Sequence, residues 1–290
     1  MKINSALGII GHPIGHSISP RFQQAGLDHL SVDHRYLAYE VHPGLVADFV
    51  ASLRSDAVRG INVTVPHKEA VIPFLDEIDE WAAEAGAVNT IVNREERLVG
   101  YNTDGYGFLR ALRESAGLDP AGKRAVILGA GGSARGVAQA LLRAGVAELV
   151  IANRTLERAQ ALAELAANRG VPARAIELSA LRSNGVTGEV DLIVNCTSLG
   201  MHHGPDEDAS PLRASQIPQS ALVYDLVYNP MLTPLIREAH SIGAPTLGGI
   251  SMLVYQGAAS FELWLERPAP VAVMMDAAMA AMREREAQAR

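Results

Sequence analysis

Residues 124–158 read RAVILGAGGSARGVAQALLRAGVAELVIANRTLER, and this stretch decides the fold expected for the chain. Ala125 to Leu128 is a short apolar run with charge before it and glycine after it, the pattern of a strand covered on both faces in a parallel sheet. Gly129, Gly131 and Ala134 follow at the spacing G-x-G-x-x-G/A. In that pattern the first glycine makes a tight turn, the second lets backbone approach a pyrophosphate, and the small third residue lets helix and strand pack closely. A helix from Ser133 to Arg143 is expected to aim its free N-terminal N–H groups at the phosphate.

A second apolar run, Glu148 to Ala152, follows at the spacing of a strand-helix-strand unit. Where an NAD-binding strand usually ends in an acidic residue, this one runs into Asn153-Arg154-Thr155, with Arg158 one turn later. A carboxylate there would accept the ribose 2′-hydroxyl but repel a 2′-phosphate, whereas guanidinium groups bind the phosphate by charge-assisted hydrogen bonds. NADP is therefore the expected cofactor. Without a ligand the two arginines would be solvated residues of a helix start, where cations are unfavourable unless an anion meets them.

The whole chain has 290 residues, 48% of them hydrophobic, which is ample for buried cores and favours two domains over one. The net charge is −7 and the basic residues are scattered, so no nucleic-acid footprint is expected. A single cysteine, Cys196, excludes an intrachain disulfide and a cysteine-cluster metal site. The opening MKINSALGIIGHPIGHS lacks a signal-like apolar region and no uncharged apolar run approaches a membrane span, so a cytoplasmic soluble enzyme is expected.

Outward from the glycine loop toward the N-terminus, a strand is expected over Ala6 to Ile10, breaking at Gly11-His12-Pro13-Ile14-Gly15. Ser19 before Pro20 has the form of a helix N-cap with proline at the first helical position, predicting a helix from Pro20 to Leu30. In an extended loop Ser17 and Ser19 would point their hydroxyls to one side, toward a carboxylate, although serines in such places often only cap. A strand over Tyr36 to Val41 and a helix over Pro43 to Leu53 carry no obvious chemistry. In Gly60 to Lys68 a strand with alternating polarity is expected to enter a helix near Pro66, placing Asn62, Thr64 and Lys68 around one site. A lysine at a helix start opposes the macrodipole, which points to a ligand or carboxylate partner; His67 fits a structural role better. An amphipathic helix is expected over Ile72 to Glu84, then strands over Gly86 to Val92, carrying Asn89, and Arg97 to Tyr101. Thr103 or Asp104 would cap the next helix, yet a carboxylate just before the nucleotide domain also sits where a cleft between domains would open.

Toward the C-terminus, strands are expected over Asp191 to Asn195 and Ala221 to Asp225, the first running into a small-residue turn at Cys196 to Met201 suited to lie against a cofactor. His202, His203, Asp206, Glu207 and Asp208 match no metal-ligand spacing, and no metal is expected. A helix to His240, the stretch Gly248 to Gln256 and two further helices complete the chain. In the last helix Val271, Met275, Ala278 and Met282 form a stripe that fits core packing.

Taken in order, HSISP, GINVTVPHK, GAVNT, YNTDG, GAGGSARG, NRTLERA, NCTSLGM, DLVYNP and GGISMLVYQG closely resemble the shikimate/quinate dehydrogenase family, over Gly11 to about Trp264. The resemblance implies an α/β fold of two domains: an N-terminal α/β substrate domain completed by C-terminal helices, and a Rossmann-type NADP-binding domain. The expected divisions are 1–103 and 246–290 for the first and 104–245 for the second. By motif, Ser17 and Ser19 would bind the substrate carboxylate with Tyr228, and Asn62, Thr64, Asn89, Asp104 and Gln256 would bind its hydroxyls, with Lys68 and Asp104 the catalytic pair. Gly129, Ala130, Gly131, Gly132, Ser133, Asn153, Arg154, Thr155 and Arg158 would hold NADP, with Leu226 and Gly249 near the nicotinamide and Glu80 at a further cofactor position. The implied activity is reversible NADPH-dependent reduction of 3-dehydroshikimate to shikimate by a cytoplasmic monomer or homodimer acting on small molecules. Against it stand a quinate/shikimate dehydrogenase using NAD, opposed by Ser17, Ser19 and Arg154, and a non-catalytic NADP(H) sensor, opposed by Lys68 and Asp104. The chain departs from the family at Gln23-Gln24, commonly His-Asn, and at Cys196, commonly alanine.

Overall fold

A computed structural model of the chain describes residues 6–184, 189–202, 204 and 206–288, with backbone alone at 182 and 184. The chain forms two compact units, Met1–Gly107 with Leu253–Arg290, and Phe108–Met252.

In the first unit lie β1 (Leu7–Gly11), α1 (Ser19–His29), β2 (Tyr36–Glu40), α2 (Val46–Ser52), β3 (Gly60–Val63), β4 (Glu77–Ile78), α3 (Glu80–Ala85), β5 (Thr90–Arg94), β6 (Arg97–Tyr101) and the first turn of α4 (Asp104–Ala116). The sheet runs β2-β1-β3-β5-β6-β4. β1 pairs parallel with β2 and β3, whereas β5 is antiparallel to both β3 and β6. β1 and β3 are buried at every position, as central strands covered on both faces must be. One side of the sheet closes over Ile10, Phe49, Leu53, Ile61, Ile91 and Leu98.

The second unit holds β7 (Arg124–Leu128), α5 (Gly132–Arg143), β8 (Glu148–Asn153), α6 (Leu156–Ala167), β9 (Ala173–Glu177), α7 (Leu178–Asn184), β10 (Leu192–Asn195), β11 (Leu222–Asp225), α8 (Pro234–Ser241) and β12 (Thr246–Gly248). Its sheet is parallel throughout, in the order β12-β11-β10-β7-β8-β9. This is a doubly wound sheet whose strand order reverses between β7 and β10, and such sheets bind ligands beyond the carboxyl ends of the strands at that point. Val126, Leu128, Val150, Ile193, Val223 and Leu235 form its core.

The chain returns to the first unit through α9 (Gly249–Leu265) and α10 (Val271–Gln288). Trp264 donates its indole N–H to Ile91 O at 3.0 Å over Gly60, where a Cβ would collide with the indole. The divisions between units fall inside α4, at Gly107, and inside α9, at Met252.

Several local expectations are corrected. Ser19 is not the cap of α1: Ile18 takes that position with helical backbone (φ −90°, ψ −1°), so the two serines do not share one side of an extended loop. Instead Ser17 Oγ accepts the Ser19 N–H at 3.2 Å. No helix starts near Pro66. Thr64 to Val71 is a run of turns closed by His67 N–H to Thr64 O (2.8 Å) and Val71 N–H to His67 O (3.1 Å), so no macrodipole bears on Lys68. The helix expected over Ile72 to Glu84 is a 3-10 turn (Ile72–Phe74), then β4, then α3. Asp76 accepts the Leu98 N–H at 2.7 Å and is gripped by Arg54, while Asp79 caps α3 through the Ala82 N–H at 2.8 Å. The strand bearing Asn89 begins only at Thr90, since Gly86 ends α3 in the left-handed conformation (φ 64°). On α10 the buried stripe is Met274, Ala278, Ala281 and Met282, with Met275 beside it.

Candidate active site

In the first unit the loop after β3, the start of β5, the start of α4 and α9 bring four of the expected residues into one hydrogen-bonded group. Lys68 Nζ donates to Asp104 Oδ2 at 2.5 Å, their side chains 29% and 27% exposed, so each is half-sheltered yet reachable. Asn89 Nδ2 donates to Asp104 Oδ1 at 2.8 Å and approaches Gln256 Oε1 at 3.3 Å. Asp104 is not a helix cap, because Asn102 Oδ1 accepts the Asp104 N–H at 3.0 Å and leaves the carboxylate to Lys68 and Asn89. This is a cation and an anion fixed by amides, the form required of a positioned proton donor.

Behind this group lies a buried polar layer that sequence reasoning passed over. Asn62 Oδ1 accepts the Tyr36 hydroxyl at 2.7 Å, and Asn62 Nδ2 faces Ser260 Oγ (2.9 Å), Thr90 Oγ1 (3.1 Å) and Asn89 O (3.1 Å). The amide is thus committed to protein partners. Burial pushes the Tyr36 phenol well up from its ordinary value, so it stays a donor. Thr90 and Ser260 are fully buried and Thr103 nearly so. The available signal was polarity at positions that strand and helix patterns make apolar, as in Ala258-Ala259-Ser260-Phe261.

Ser17 is half-buried and Ser19 buried; the hydroxyls of Ser19 and Thr64 have no partner among the described residues. His67 is buried with Nε2 at 2.7 Å from Val41 O, a structural contact. Gln23 Nε2 donates to Gly257 O at 2.9 Å, and Gln24 Oε1 accepts the Tyr36 N–H at 2.9 Å, so the unusual pair ties α1 to α9 and to β2.

In the second unit Gly129 ends β7 with φ +104°, a conformation that side chains rarely adopt, and a Cβ there would stand 3.2 Å from the Cys196 carbonyl. Gly131 is the cap position of α5, with no side chain accepting from the first N–H groups and no acid in the first turn. Nothing lies within 4 Å of where a Cβ of Gly131 or Gly132 would stand, and Ala130 and exposed Ser133 complete the loop. Open backbone at a helix N-terminus fits a dinucleotide pyrophosphate. After β8, Asn153 Nδ2 closes a turn onto Thr155 O at 2.8 Å, and Arg154 and Arg158 are exposed with no partner among the described residues. Such cations at the start of α6 suit a 2′-phosphate. Leu226 and Gly249 meet: a Cβ on Gly249 would overlap the Leu226 carbonyl, so only glycine lets these backbones touch. Tyr228 lies half-buried in the loop after β11. Glu80 belongs to the first unit, an exposed acid in the first turn of α3 where the helix dipole favours it.

Asp225, fully buried, holds the loops after β10 and β11. It accepts from Asn195 Nδ2 (2.9 Å), Val227 N–H (3.0 Å) and Thr233 Oγ1 (2.6 Å). Burial raises its carboxyl to about 6 against the opposing pull of those donors. The Cys196 thiol is also pushed up, by burial and then by the Asp225 charge, which makes it an inert small side chain. His202 pairs with Glu207 at 3.2 Å, whereas His203 lies outside the described residues. Among the described residues no group of three or more His, Cys, Asp or Glu is placed to hold a metal ion, and no helix is long and apolar enough to cross a membrane.

A doubly wound sheet with an open glycine loop and a separate unit carrying a lysine-aspartate pair define a dinucleotide-dependent oxidoreductase. Residues 9–91 match the shikimate dehydrogenase substrate binding domain, 111–234 the shikimate / quinate 5-dehydrogenase domain, and 249–279 the shikimate 5′-dehydrogenase C-terminal domain. The chain is 51% identical to a shikimate dehydrogenase (NADP(+)) of Moorella thermoacetica, over 92% of this chain and 90% of that one. It is 38% identical to the crystallised shikimate 5-dehydrogenase of Thermus thermophilus in complex with NADP(H) and shikimate, covering 95% and 98% of the two chains with a TM-score of 0.82. The ligand-free 5-ketofructose reductase of Gluconobacter sp. strain CHM43 is 34% identical over 95% and 98%, with a TM-score of 0.86. The chain belongs to the shikimate dehydrogenase family.

Proposed function

We propose that this chain catalyses the reversible NADPH-dependent reduction of 3-dehydroshikimate to shikimate, a step of aromatic amino-acid biosynthesis. The observation that carries the reading is the Lys68–Asp104 pair at 2.5 Å, held by Asn89 at 2.8 Å. When bound, reduced nicotinamide supplies the hydride that the C3 carbonyl carbon accepts. Lys68, as an ammonium, donates a proton to the carbonyl oxygen as negative charge grows there, and Asp104 keeps that ammonium aimed. In the reverse direction neutral Lys68 takes the hydroxyl proton back.

Thr64, Asn89, Asp104 and Gln256 bind the ring hydroxyls, and Ser17 and Ser19 bind the carboxylate. Asn62, with its amide already committed, supports this set from behind. Gly129 to Ser133 hold the pyrophosphate, Asn153, Arg154, Thr155 and Arg158 the 2′-phosphate end, and Leu226 and Gly249 offer backbone to the nicotinamide. Arg154 and Arg158, with no partner among the described residues, favour NADP over NAD, and the intact serines favour shikimate over quinate. The enzyme works in the cytoplasm on small molecules, without nucleic acid or membrane, as a monomer or homodimer. Purified protein should oxidise NADPH only when 3-dehydroshikimate is added; no turnover with that pair would refute the reading.

A further inference from the structure

We propose that Thr90 is a positioning residue: its buried hydroxyl fixes which end of the Asn89 amide faces Asp104. This rests on Lys68 and Asp104 being the catalytic pair.

An amide has two chemically opposite ends. Its NH2 can donate to a carboxylate, whereas a flipped Asn89 would set its carbonyl oxygen against the oxygens of Asp104 and loosen the anion that aims Lys68. Asn89 Oδ1 is held on the far side by the Thr103 N–H at 2.9 Å and the Thr90 hydroxyl at 2.9 Å. The Thr103 N–H is backbone and present in every sequence, and the Thr103 hydroxyl meets both ends of the amide, at 3.2 Å from Oδ1 and 2.9 Å from Nδ2, so the Thr90 hydroxyl is the side-chain group that bears on Oδ1 alone. These groups are closed to bulk solvent, Thr90 and Ser260 being 0% exposed and Asn89 2% exposed.

One consistent set of donors reaches Thr90 from the interior. The Tyr36 hydroxyl donates to Asn62 Oδ1 (2.7 Å), Asn62 Nδ2 to Ser260 Oγ (2.9 Å), Ser260 to Thr90 Oγ1 (2.7 Å), and Thr90 to Asn89 Oδ1. The single Ser260 proton can go instead to Gln256 O at 3.1 Å, and Thr90 Oγ1 then still accepts from Asn62 Nδ2 at 3.1 Å. Deleting the Ser260 hydroxyl therefore leaves the Thr90 proton with Asn89, whereas deleting the Thr90 hydroxyl removes that donor outright.

The test is a double-mutant cycle with shikimate and NADP. Thr90→Val, close in size but without the hydroxyl, should lower kcat about tenfold while the Kd for NADP stays at the parental value, and Thr90→Ser should recover to within about twofold. Ser260→Ala, an equally buried change, should stay within about twofold of the parent in kcat. In an Asp104→Asn background, whose neutral amide accepts either end of Asn89, Thr90→Val should change kcat by less than about twofold. Equal losses in both backgrounds, or Ser260→Ala matching Thr90→Val, would overturn the role of Thr90 and leave the catalytic pair standing. A parental kcat for Asp104→Asn would overturn the pair itself. Should Thr90→Val not fold, Thr90→Ala takes its place in the same cycle with the same expected factors.

Discussion

Replacing Lys68 by alanine should separate proton delivery from binding. In the structure Lys68 Nζ has one described partner, Asp104 Oδ2 at 2.5 Å, while Asp104 keeps Asn89 Nδ2 at 2.8 Å on its other oxygen. Removing the lysine therefore leaves the carboxylate anchored, and Ser17, Ser19, Thr64, Asn89 and Gln256 still present their polar groups. Substrate KM and NADP affinity should stay within about threefold of the parent. A positioned general acid is worth about a hundred- to ten-thousandfold in rate. On the barrier this is roughly 3 to 5.5 kcal/mol, which sets the expected fall in kcat for Lys68→Ala. Asp104→Ala should damage binding more, because it removes a hydroxyl acceptor together with the group that aims Lys68. The double variant should lose less than the sum of the two barriers, since both act on one proton. Steady-state kinetics with shikimate and NADP on the two singles and the double, beside thermal melts that establish folding, give the answer. A folded Lys68→Ala protein with near-parental kcat would make Lys68 a bystander and refute the reasoning.

Arg154→Ala should weaken NADP by about ten- to a hundredfold, the equivalent of roughly 1.5 to 3 kcal/mol for a charge-assisted contact, and leave NAD nearly unchanged. Arg158→Ala should act in the same sense more mildly; titration of both cofactors checks this, and equal losses would remove the 2′-phosphate assignment. Ser17→Ala should raise KM for shikimate with a smaller change in kcat, because a remote carboxylate is held alike in ground and transition states. Since Ser17 Oγ also accepts the Ser19 N–H at 3.2 Å, a loss of thermal stability with unchanged KM would make it a helix-start contact only. Asp225, raised from 3.8 to about 6 in the folded protein, favours the fold below the unfolded value and loses that contribution as pH rises through about 6. Relative to the parent, Asp225→Asn should thus gain up to about 3 kcal/mol of stability between pH ~4 and pH ~7, measured by denaturant unfolding; a pH-independent difference would contradict the raised carboxyl.

The second unit was legible because its signal is local. Strands β7 and β8, helix α5 and the arginines after β8 all lie within the 35 letters first quoted, each element bounded by glycine or charge. Its edge strands were not: β9 is only partly covered, and β12 has three residues, too few to show a period. In the first unit Ile72, Leu75 and Ile78 imitate a helical spacing, but Asp76 and Asp79 spend their carboxylates on backbone N–H groups and on Arg54, and that competition breaks the helix. Of the site, Lys68, Asp104, Asn89 and Gln256 could be placed from motifs. The layer of Tyr36, Thr90, Thr103 and Ser260 could not, because its bonds join residues as far apart as Asn62 and Ser260, a separation of 198. Gln23 and Gln24 likewise gain meaning only once Gly257 and β2 stand opposite them.

The central claim is a choice of substrate and cofactor together. Purified protein supplied with shikimate or quinate, each with NADP or NAD and followed by nicotinamide absorbance, tests it most directly. The account predicts the highest kcat/KM for shikimate with NADP. Higher kcat/KM for quinate with NAD, or no turnover with any of the four pairs, would contradict it.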